Sequence, residues 1–135
     1  MSNRVVITGL GVVAPNGTGI AAFRDAIKKG ISGIRYEEQL AALKFSCRIA
    51  GTPVVPGSLQ QQYFDELELK QLSSSGIIYG VIAGMQAWTD AGLPVSGATP
   101  DWDSGTVFGA GTSGVDKFRE AVYKVDGLEV RRLGS

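Results

Sequence analysis

The sequence contains no histidine, and this absence excludes more chemistry than any other feature of its composition. Without an imidazole, the chain cannot supply a histidine general base, a catalytic triad or a histidine metal ligand. Its single cysteine, Cys47, cannot form an internal disulfide or a zinc-binding thiolate pair. Because Cys47 lies in a predicted strand with no histidine to activate it, we interpret it as a packing residue. We therefore predict no metal site in the chain, and the low cysteine count favours a reducing, cytoplasmic location.

The chain also lacks an excess of charge and a long apolar run. Thirteen basic and thirteen acidic residues give a net charge of zero, which argues against a nucleic acid or a membrane surface as a partner. The longest apolar stretch, at residues 76–93, contains Gln86, Asp90 and several glycines, so it is a poor membrane span. With 44% apolar and 19% charged residues, the composition is that of a globular protein.

Predicted strands and helices alternate along the chain, which indicates an α/β layered fold, and we see no internal domain boundary. β-Branched runs at residues 5–7 and 12–13 predict a strand buried on both faces. Residues 106–108 predict a second buried strand, and Gly30 and Gly92 are expected to end helices. The other predicted elements are a strand at residues 45–50, an extended piece at 34–36, a loop around Pro53 and Pro56, and helices at 18–29, 37–43, 64–72, 76–91 and 115–125.

The predicted helix at residues 76–91 has an unusual composition. Gly76, Gly80 and Gly84 fall four residues apart and form a bare stripe along it. Since each interior glycine costs about 1 kcal/mol relative to alanine, the stripe suggests close approach by another backbone element. We interpret the segment as a packed central helix, with residues 73–75 as its serine cap.

Two glycine-rich segments invite a nucleotide- or anion-binding interpretation. Residues 9–14 fit the pattern G-x-G-x-x-A, but in a dinucleotide site the glycines open a helix, and here a Pro-Asn-Gly turn follows instead. Residues 109–114 lie between a predicted strand and a predicted helix and could cradle an anion, although they lack the Gly-Lys-Ser/Thr ending of a phosphate loop. A small nucleotide-binding module therefore stays open as an alternative from a different class.

Several segments together resemble the β-ketoacyl–acyl-carrier-protein synthases of the condensing type. Residues 4–15, RVVITGLGVVAP, resemble the start of these enzymes. The likeness continues over essentially the whole chain, in matching order and spacing, at residues 29–34 (KGISGI), 78–79 (IY), 90–93 (DAGL), 109–112 (GAGT) and 131–135 (RRLGS). Any one segment is weak, but their common register is specific.

This resemblance implies a thiolase-like layered α/β/α fold, incomplete in this chain, and a homodimeric enzyme. Residues 1–135 would be the N-terminal fragment of one β-ketoacyl synthase domain, with the remainder of its own chain as a partner. Members are acyltransferases that join an acyl thioester to malonyl-carrier protein by decarboxylative Claisen condensation, in fatty acid or polyketide-type synthesis. They bind no cofactor directly, because the substrate arrives on the phosphopantetheine arm of acyl carrier protein.

The family's catalytic cysteine and histidines lie downstream of the segments seen here, so the resemblance implies no catalytic residue in this chain. We expect the polypeptide alone to be inactive. A non-catalytic chain-length partner subunit of the same fold, in which the cysteine is replaced, remains an alternative. The choice between fatty acid, polyketide and polyene pathways also stays open.

The resemblance assigns two groups of site residues. Gly109, Gly111 and Thr112 match positions that line the acyl pocket, where the side chain at 112 would limit chain length. Arg131 and Arg132 match a basic pair that docks the acidic acyl carrier protein, a role that suits the planar fork of arginine.

Overall fold

The computed structural model describes residues 4–72, 74–95, 101–111 and 114–128. Its helices are α1 (Ile20–Lys28), α2 (Glu38–Ala42), α3 (Gly57–Gln60), α4 (Glu66–Gln71), α5 (Ser75–Asp90) and α6 (Val115–Asp126). Its strands are β1 (Val13–Ala14), β2 (Gly17–Thr18), β3 (Arg35–Tyr36) and β4 (Ile49–Ala50). Strand β1 pairs antiparallel with β2, and β3 pairs antiparallel with β4. The predicted mixture of helices and strands is confirmed, with short strands in two separate ladders.

The first ladder leads directly into α1. Gly19 has a φ of 88°, which glycine adopts without strain, and its N–H donates to the carbonyl oxygen of Val12 at 2.9 Å. Helix α1 turns Ala26 inward and ends before Gly30, whose φ is 65°. A left-handed glycine just past the last turn is the common helix stop, so the predicted end of this helix is confirmed.

The second ladder is tied to the first through Arg35. The guanidinium of Arg35 donates to the carbonyl oxygens of Pro15, at 3.1 Å, and Thr52, at 3.4 Å. Pro15 belongs to the turn between β1 and β2, so one side chain links the two ladders. The predicted extended piece at residues 34–36 is confirmed, whereas the predicted strand at 45–50 shortens to β4.

The N-terminal caps of α4 and α5 differ in their hydrogen bonds. At α4 the carboxylate of Asp65 accepts from the Glu68 N–H, and the Glu68 carboxylate accepts from the Asp65 N–H, which forms a complete capping box. At α5 a serine, Ser74, occupies the N-cap as predicted, but its hydroxyl makes no capping hydrogen bond. The predicted loop beyond Pro53 contains the short helix α3, whose N-cap is Pro56, and the Pro56 carbonyl oxygen accepts from the N–H groups of Leu59 and Gln60.

The core of the described chain is small and centres on α5. Three apolar side chains are buried among the described residues, namely Ala26, Phe64 and Ile82, and Ile82 alone is completely enclosed. The chain exposes 11018 Å² to solvent, whereas a compact monomer of this mass exposes about 6,800 Å². Much of the apolar surface that the composition provides is therefore uncovered.

The two predicted buried strands are wrong for the described chain. Residues 5–7 and 106–108 form neither helix nor strand, with Val5 91% exposed and Val107 fully exposed. A strand is buried on both faces only when neighbouring strands and helices cover it, and no other described segment pairs with these two. Cys47 is likewise exposed, so its interpretation as a packing residue is also wrong.

None of the helices that the structure describes combines the length and the apolarity needed to cross a bilayer.

Candidate functional site

The glycines of the G-x-G motif lie directly against α5. A Cβ on Gly11 would stand 1.9 Å from the carbonyl oxygen of Ala83, and a Cβ on Gly9 would stand 2.2 Å from that of Ala87. Real Cβ atoms do not approach backbone this closely, so glycine is required at both positions. The motif therefore brings an extended backbone into contact with a helix.

Hydrogen bonds from α5 hold the same extended segment in place. The Leu10 N–H donates to the Asp90 carboxylate at 2.9 Å, and the Val12 N–H donates to the Gln86 side-chain carbonyl at 3.3 Å. Gln86 and Asp90 lie four residues apart and so project from one side of the helix. No helix begins at the glycines, so the segment does not provide the helix N-terminus that binds the pyrophosphate in a dinucleotide site.

A cleft of about 620 Å³ lies between the first half of α5 and the glycine-rich turn before α6. Its lining residues are Ser74, Ser75, Gly76, Ile77, Tyr79, Gly80, Val81, Phe108, Gly109, Ala110, Gly111, Gly114 and Val115. This volume is typical of small-molecule sites in proteins. Gly109 and Gly111 lie in the cleft wall, and a Cβ on either would meet nothing within 4 Å. Both glycines thus line this cleft, and their predicted role in an acyl pocket stays a prediction.

The remaining predicted site residues cannot be placed against the cleft. Thr112 lies outside the described residues, as do Arg131 and Arg132. Their predicted roles, in limiting the acyl chain and docking the carrier protein, stay predictions.

The glycine stripe of α5 receives an aromatic ring instead of the backbone that its spacing suggested. A Cβ on Gly80 would stand 2.9 Å from Cε1 of Phe108, whereas a Cβ on Gly84 would stand at an ordinary 3.6 Å from Cζ of the same ring. The close backbone contact occurs instead along Ala83, Ala87 and Ala91, which are also spaced four apart. Sequence analysis missed this alanine stripe, and it missed Phe108 as its counterpart on the glycine stripe.

The cleft provides little acid–base chemistry. Tyr79 is the one lining residue with an ionisable side chain, and its hydroxyl donates to the Pro53 carbonyl at 3.3 Å. Within the described part of the chain, no cluster of three or more acidic, cysteine or histidine side chains could hold a metal ion. The cleft can therefore accommodate an apolar group, but its described walls supply no pair of groups for nucleophilic catalysis.

Shifted carboxylates lie away from the cleft, on and before α6. Lys124 donates to the Glu120 carboxylate, and this hydrogen bond, with the charges of Lys124 and Lys117, lowers the pKa of Glu120. The Ser104 hydroxyl donates to the Asp101 carboxylate at 2.6 Å and lowers the pKa of Asp101. Both groups are exposed and favour their charged forms, so neither is suited to act as a general acid near neutral pH.

Comparison with known proteins identifies relatives of the chain. Residues 2–129 match the family model described as "Beta-ketoacyl synthase, N-terminal domain". The chain is similar to 3-oxoacyl-[acyl-carrier-protein] synthase 2 of Vibrio cholerae, with 37% identity over 69% of this chain and 22% of that protein. It is also similar to the synthase 2 of Vibrio harveyi, with 33% identity over 84% of this chain and 26% of that protein.

A polyketide enzyme is among the similar proteins as well. The ketoacyl synthase alpha subunit of the tetracenomycin polyketide synthase from Streptomyces glaucescens is 33% identical over 84% of this chain and 26% of that subunit. The chain spans about a quarter of the length of these curated relatives. Because one family model covers nearly all of its residues, the chain belongs to the β-ketoacyl synthase family and matches the N-terminal domain of that family.

Proposed function

We propose that residues 1–135 form the N-terminal part of a β-ketoacyl-[acyl-carrier-protein] synthase, without an internal domain boundary. The protein would transfer an acyl group from a thioester to its own cysteine and then condense it with malonyl-carrier protein. Loss of carbon dioxide from the malonyl group supplies the carbanion, which attacks the acyl thioester and releases the cysteine thiolate. The observation that carries this proposal is the family match over residues 2–129, supported by relatives named as synthases.

Within that reaction the chain would contribute a wall for the acyl group. The lining of the cleft is mostly apolar side chains and glycine, which suits a hydrocarbon chain. Gly109 and Gly111 would let the chain pass close to the backbone, and Thr112 would limit its length. The nucleophile and the groups that stabilise the developing negative charge would come from residues other than these 135, which include no histidine.

The same proposal extends to the layered fold. The extended segments at residues 4–12 and 106–108 both reach α5, one through Gly9 and Gly11 and the other through Phe108. We infer that they become strands of one sheet, with α5 in a helix layer on it, when neighbouring strands cover their apolar side chains. In this arrangement the unpaired β-branched residues gain the burial that their sequence pattern predicts.

Acyl carrier protein is the proposed macromolecular partner, in a cytoplasmic homodimer that binds no cofactor of its own. The substrate would arrive on the carrier's phosphopantetheine arm, and Arg131 and Arg132 would steer the acidic carrier toward the site. Changing both arginines to glutamate in the full-length protein should weaken carrier binding at low salt. The effect should fade at high salt, because salt screens the attraction between exposed charges. Turnover of a small acyl thioester that needs no carrier should stay near normal, and an equal loss with both substrates would reject the docking role.

Condensation assays on the full-length protein test the proposed reaction. With acyl- and malonyl-carrier protein, we expect release of carbon dioxide and formation of a β-ketoacyl thioester. The 135-residue chain alone should give no product, because it cannot assemble a cysteine–histidine site. No condensation by the full-length protein would reject the enzyme assignment, and recovery of activity only with a second, similar subunit would favour the chain-length partner. Product from this chain alone would contradict the placement of catalysis outside it.

A further inference from the structure

Phe108 occupies a defined position between α5 and the cleft. Its ring lies over the glycine stripe, so close to Gly80 that a methyl group there would stand 2.9 Å from Cε1 and 3.4 Å from Cδ1. The residue nevertheless remains 66% exposed, so the ring borders solvent as well as the helix. The ring therefore forms part of the cleft wall and is not part of the buried core.

The position of the ring depends on the absence of a side chain at residue 80. Helix backbone lies behind Gly80, so a methyl group at this position can be accommodated only if the Phe108 ring moves outward from α5. Both residues line the cleft, so a displacement of the ring changes the shape of the cleft wall. Gly84, one turn further along α5, would meet the ring only at an ordinary contact distance of 3.6 Å.

We propose that Phe108, seated against Gly80, is a specificity-determining residue that sets how long an acyl chain the cleft accepts. This inference rests on the proposed function, since it assigns an acyl chain to the cleft. The ring acts as the movable boundary: residues that push it outward shorten the accepted chain, and residues that remove it lengthen the accepted chain. The seat for the ring is a steric property of Gly80, distinct from the proposed effect of the side chain at residue 112.

The structure offers a closely matched pair of variants. Gly80→Ala and Gly84→Ala make the same chemical change in the interior of the same helix, and both replace a poor helix former by a good one. Only the first forces the ring to move. Phe108→Leu and Phe108→Ala complete the set by shrinking the ring itself, and thermal melting of each full-length variant reports whether its fold is intact.

The experiment measures kcat/KM of the full-length protein for a series of saturated acyl thioesters of increasing length. A pocket discriminates one methylene by roughly tenfold or more, so we expect Gly80→Ala to reduce the long-to-short ratio by about tenfold. The ratio should be unchanged in Gly84→Ala and raised in Phe108→Ala, with Phe108→Leu between wild type and Phe108→Ala. The double variant Gly80→Ala with Phe108→Leu should return toward the wild-type ratio, because the smaller side chain relieves the contact.

Direct binding separates failure of this inference from failure of the proposed function. The same series of chain lengths, as free saturated fatty acids, is titrated into each full-length variant by calorimetry. If the wild-type protein catalyses no condensation but binds the fatty acids, the proposed function fails. The role of Phe108 is then tested by comparing the order of fatty acid affinities between the wild-type protein and the variants. A chain-length ranking that is identical in wild type, Gly80→Ala and Phe108→Ala would overturn the role of Phe108. Absence of fatty acid binding and of condensation in the wild-type protein would overturn both proposals.

Discussion

Helix α5 holds two extended segments of the chain, and it holds them in different ways. On the alanine stripe, Gly9 and Gly11 bring backbone against backbone. The side chains of Asp90 and Gln86 accept from the N–H groups of Leu10 and Val12 in the same segment. On the glycine stripe, residues 106–108 reach the helix through the ring of Phe108. A backbone contact fixes one segment rigidly, whereas a ring contact can adjust when a ligand or a neighbouring residue changes.

Helices α5 and α6 differ in how far their apolar side chains are buried. Residues near α5, such as Ile82, are enclosed by α5 and the segments around it, whereas α6 presents its apolar side chains to solvent. Val115, Phe118, Val122 and Val125 follow helical spacing, so these exposed residues share one face. The comparison separates a helix that has an enclosed apolar side chain, Ile82, from a helix whose exposed apolar face would need a further surface to cover it.

The largest effect is expected from a core truncation at α5 compared with one at α6. Ile82→Ala in this chain should lower the free energy of unfolding by about 3–4 kcal/mol, since Ile82 is fully buried. Phe118→Ala should change it by less than about 0.5 kcal/mol, because Phe118 is 72% exposed. Urea unfolding followed by circular dichroism measures both changes, and similar losses would show that α6 packs as firmly as α5.

Self-association is the expected consequence of the uncovered α6 face in this chain. Contiguous exposed apolar surface promotes association between molecules. Sedimentation velocity should detect oligomers, and Phe118→Asp together with Val122→Asp should reduce them. Leu67→Asp on α4 is the control, because Leu67 is also exposed but lies outside the α6 face. A wild-type chain that remains monomeric and melts cooperatively would contradict this prediction.

Backbone contact predicts the next largest effect. Gly11→Ala in the full-length protein should cost about 3 kcal/mol, because the added methyl group meets the Ala83 carbonyl oxygen and no rotamer can relieve the clash. Gly109→Ala should be close to neutral in stability, since a Cβ there meets nothing within 4 Å. Chemical unfolding of the two variants provides the test. Equal stability of both variants would show that the G-x-G segment does not press on α5.

The role of Asp90 predicts a smaller loss. Asp90→Ala removes the acceptor for the Leu10 N–H and should cost about 1 kcal/mol, near the usual net value of a hydrogen bond. Asp90→Asn keeps an acceptor oxygen at the same position and should lose less. Amide hydrogen exchange at Leu10 in the full-length protein reports the bond directly. If Asp90→Ala leaves protection of that amide unchanged, the carboxylate does not anchor the segment.

The sequence alone predicted the elements whose causes are local. The stops at Gly30 and Gly92 and the extents of α1 and α5 follow from glycine conformation and apolar spacing, and the structure confirms them. Whether residues 5–7 and 106–108 are buried could not be predicted in this way, because it depends on which other segments cover them. An apolar β-branched run indicates that a segment needs neighbouring strands and helices to cover it, and the described chain does not supply them.

In the candidate site, too, features with a local sequence signature could be recognised, whereas contacts between distant residues could not. The glycine-rich turn at residues 109–114 has a local signature, but the assignment of Gly109 and Gly111 to an acyl pocket comes from the family resemblance and stays a prediction. The contact of Phe108 with Gly80 was missed, since the two residues are 28 apart in sequence and no periodicity connects them. The alanine stripe has the correct spacing for a contact face, but spacing alone does not reveal which segment packs on it.

The smallest expected effect concerns Glu120 on the exposed face of α6. The hydrogen bond from Lys124, together with the charges of Lys124 and Lys117, lowers the pKa of Glu120, so the folded helix favours the ionised carboxylate. The associated stability is fully present above the unfolded pKa of about 4.3 and is lost as pH falls through the lower, folded value. An NMR titration of the Glu120 carboxyl should therefore show a midpoint below that of an unfolded peptide, and added salt should move it upward by screening the lysine charges. In Lys124→Gln the midpoint should rise toward the peptide value, because the largest cause of the shift is removed. A midpoint that matches the peptide in the wild-type chain would mean that the contact between Glu120 and Lys124 does not persist in solution.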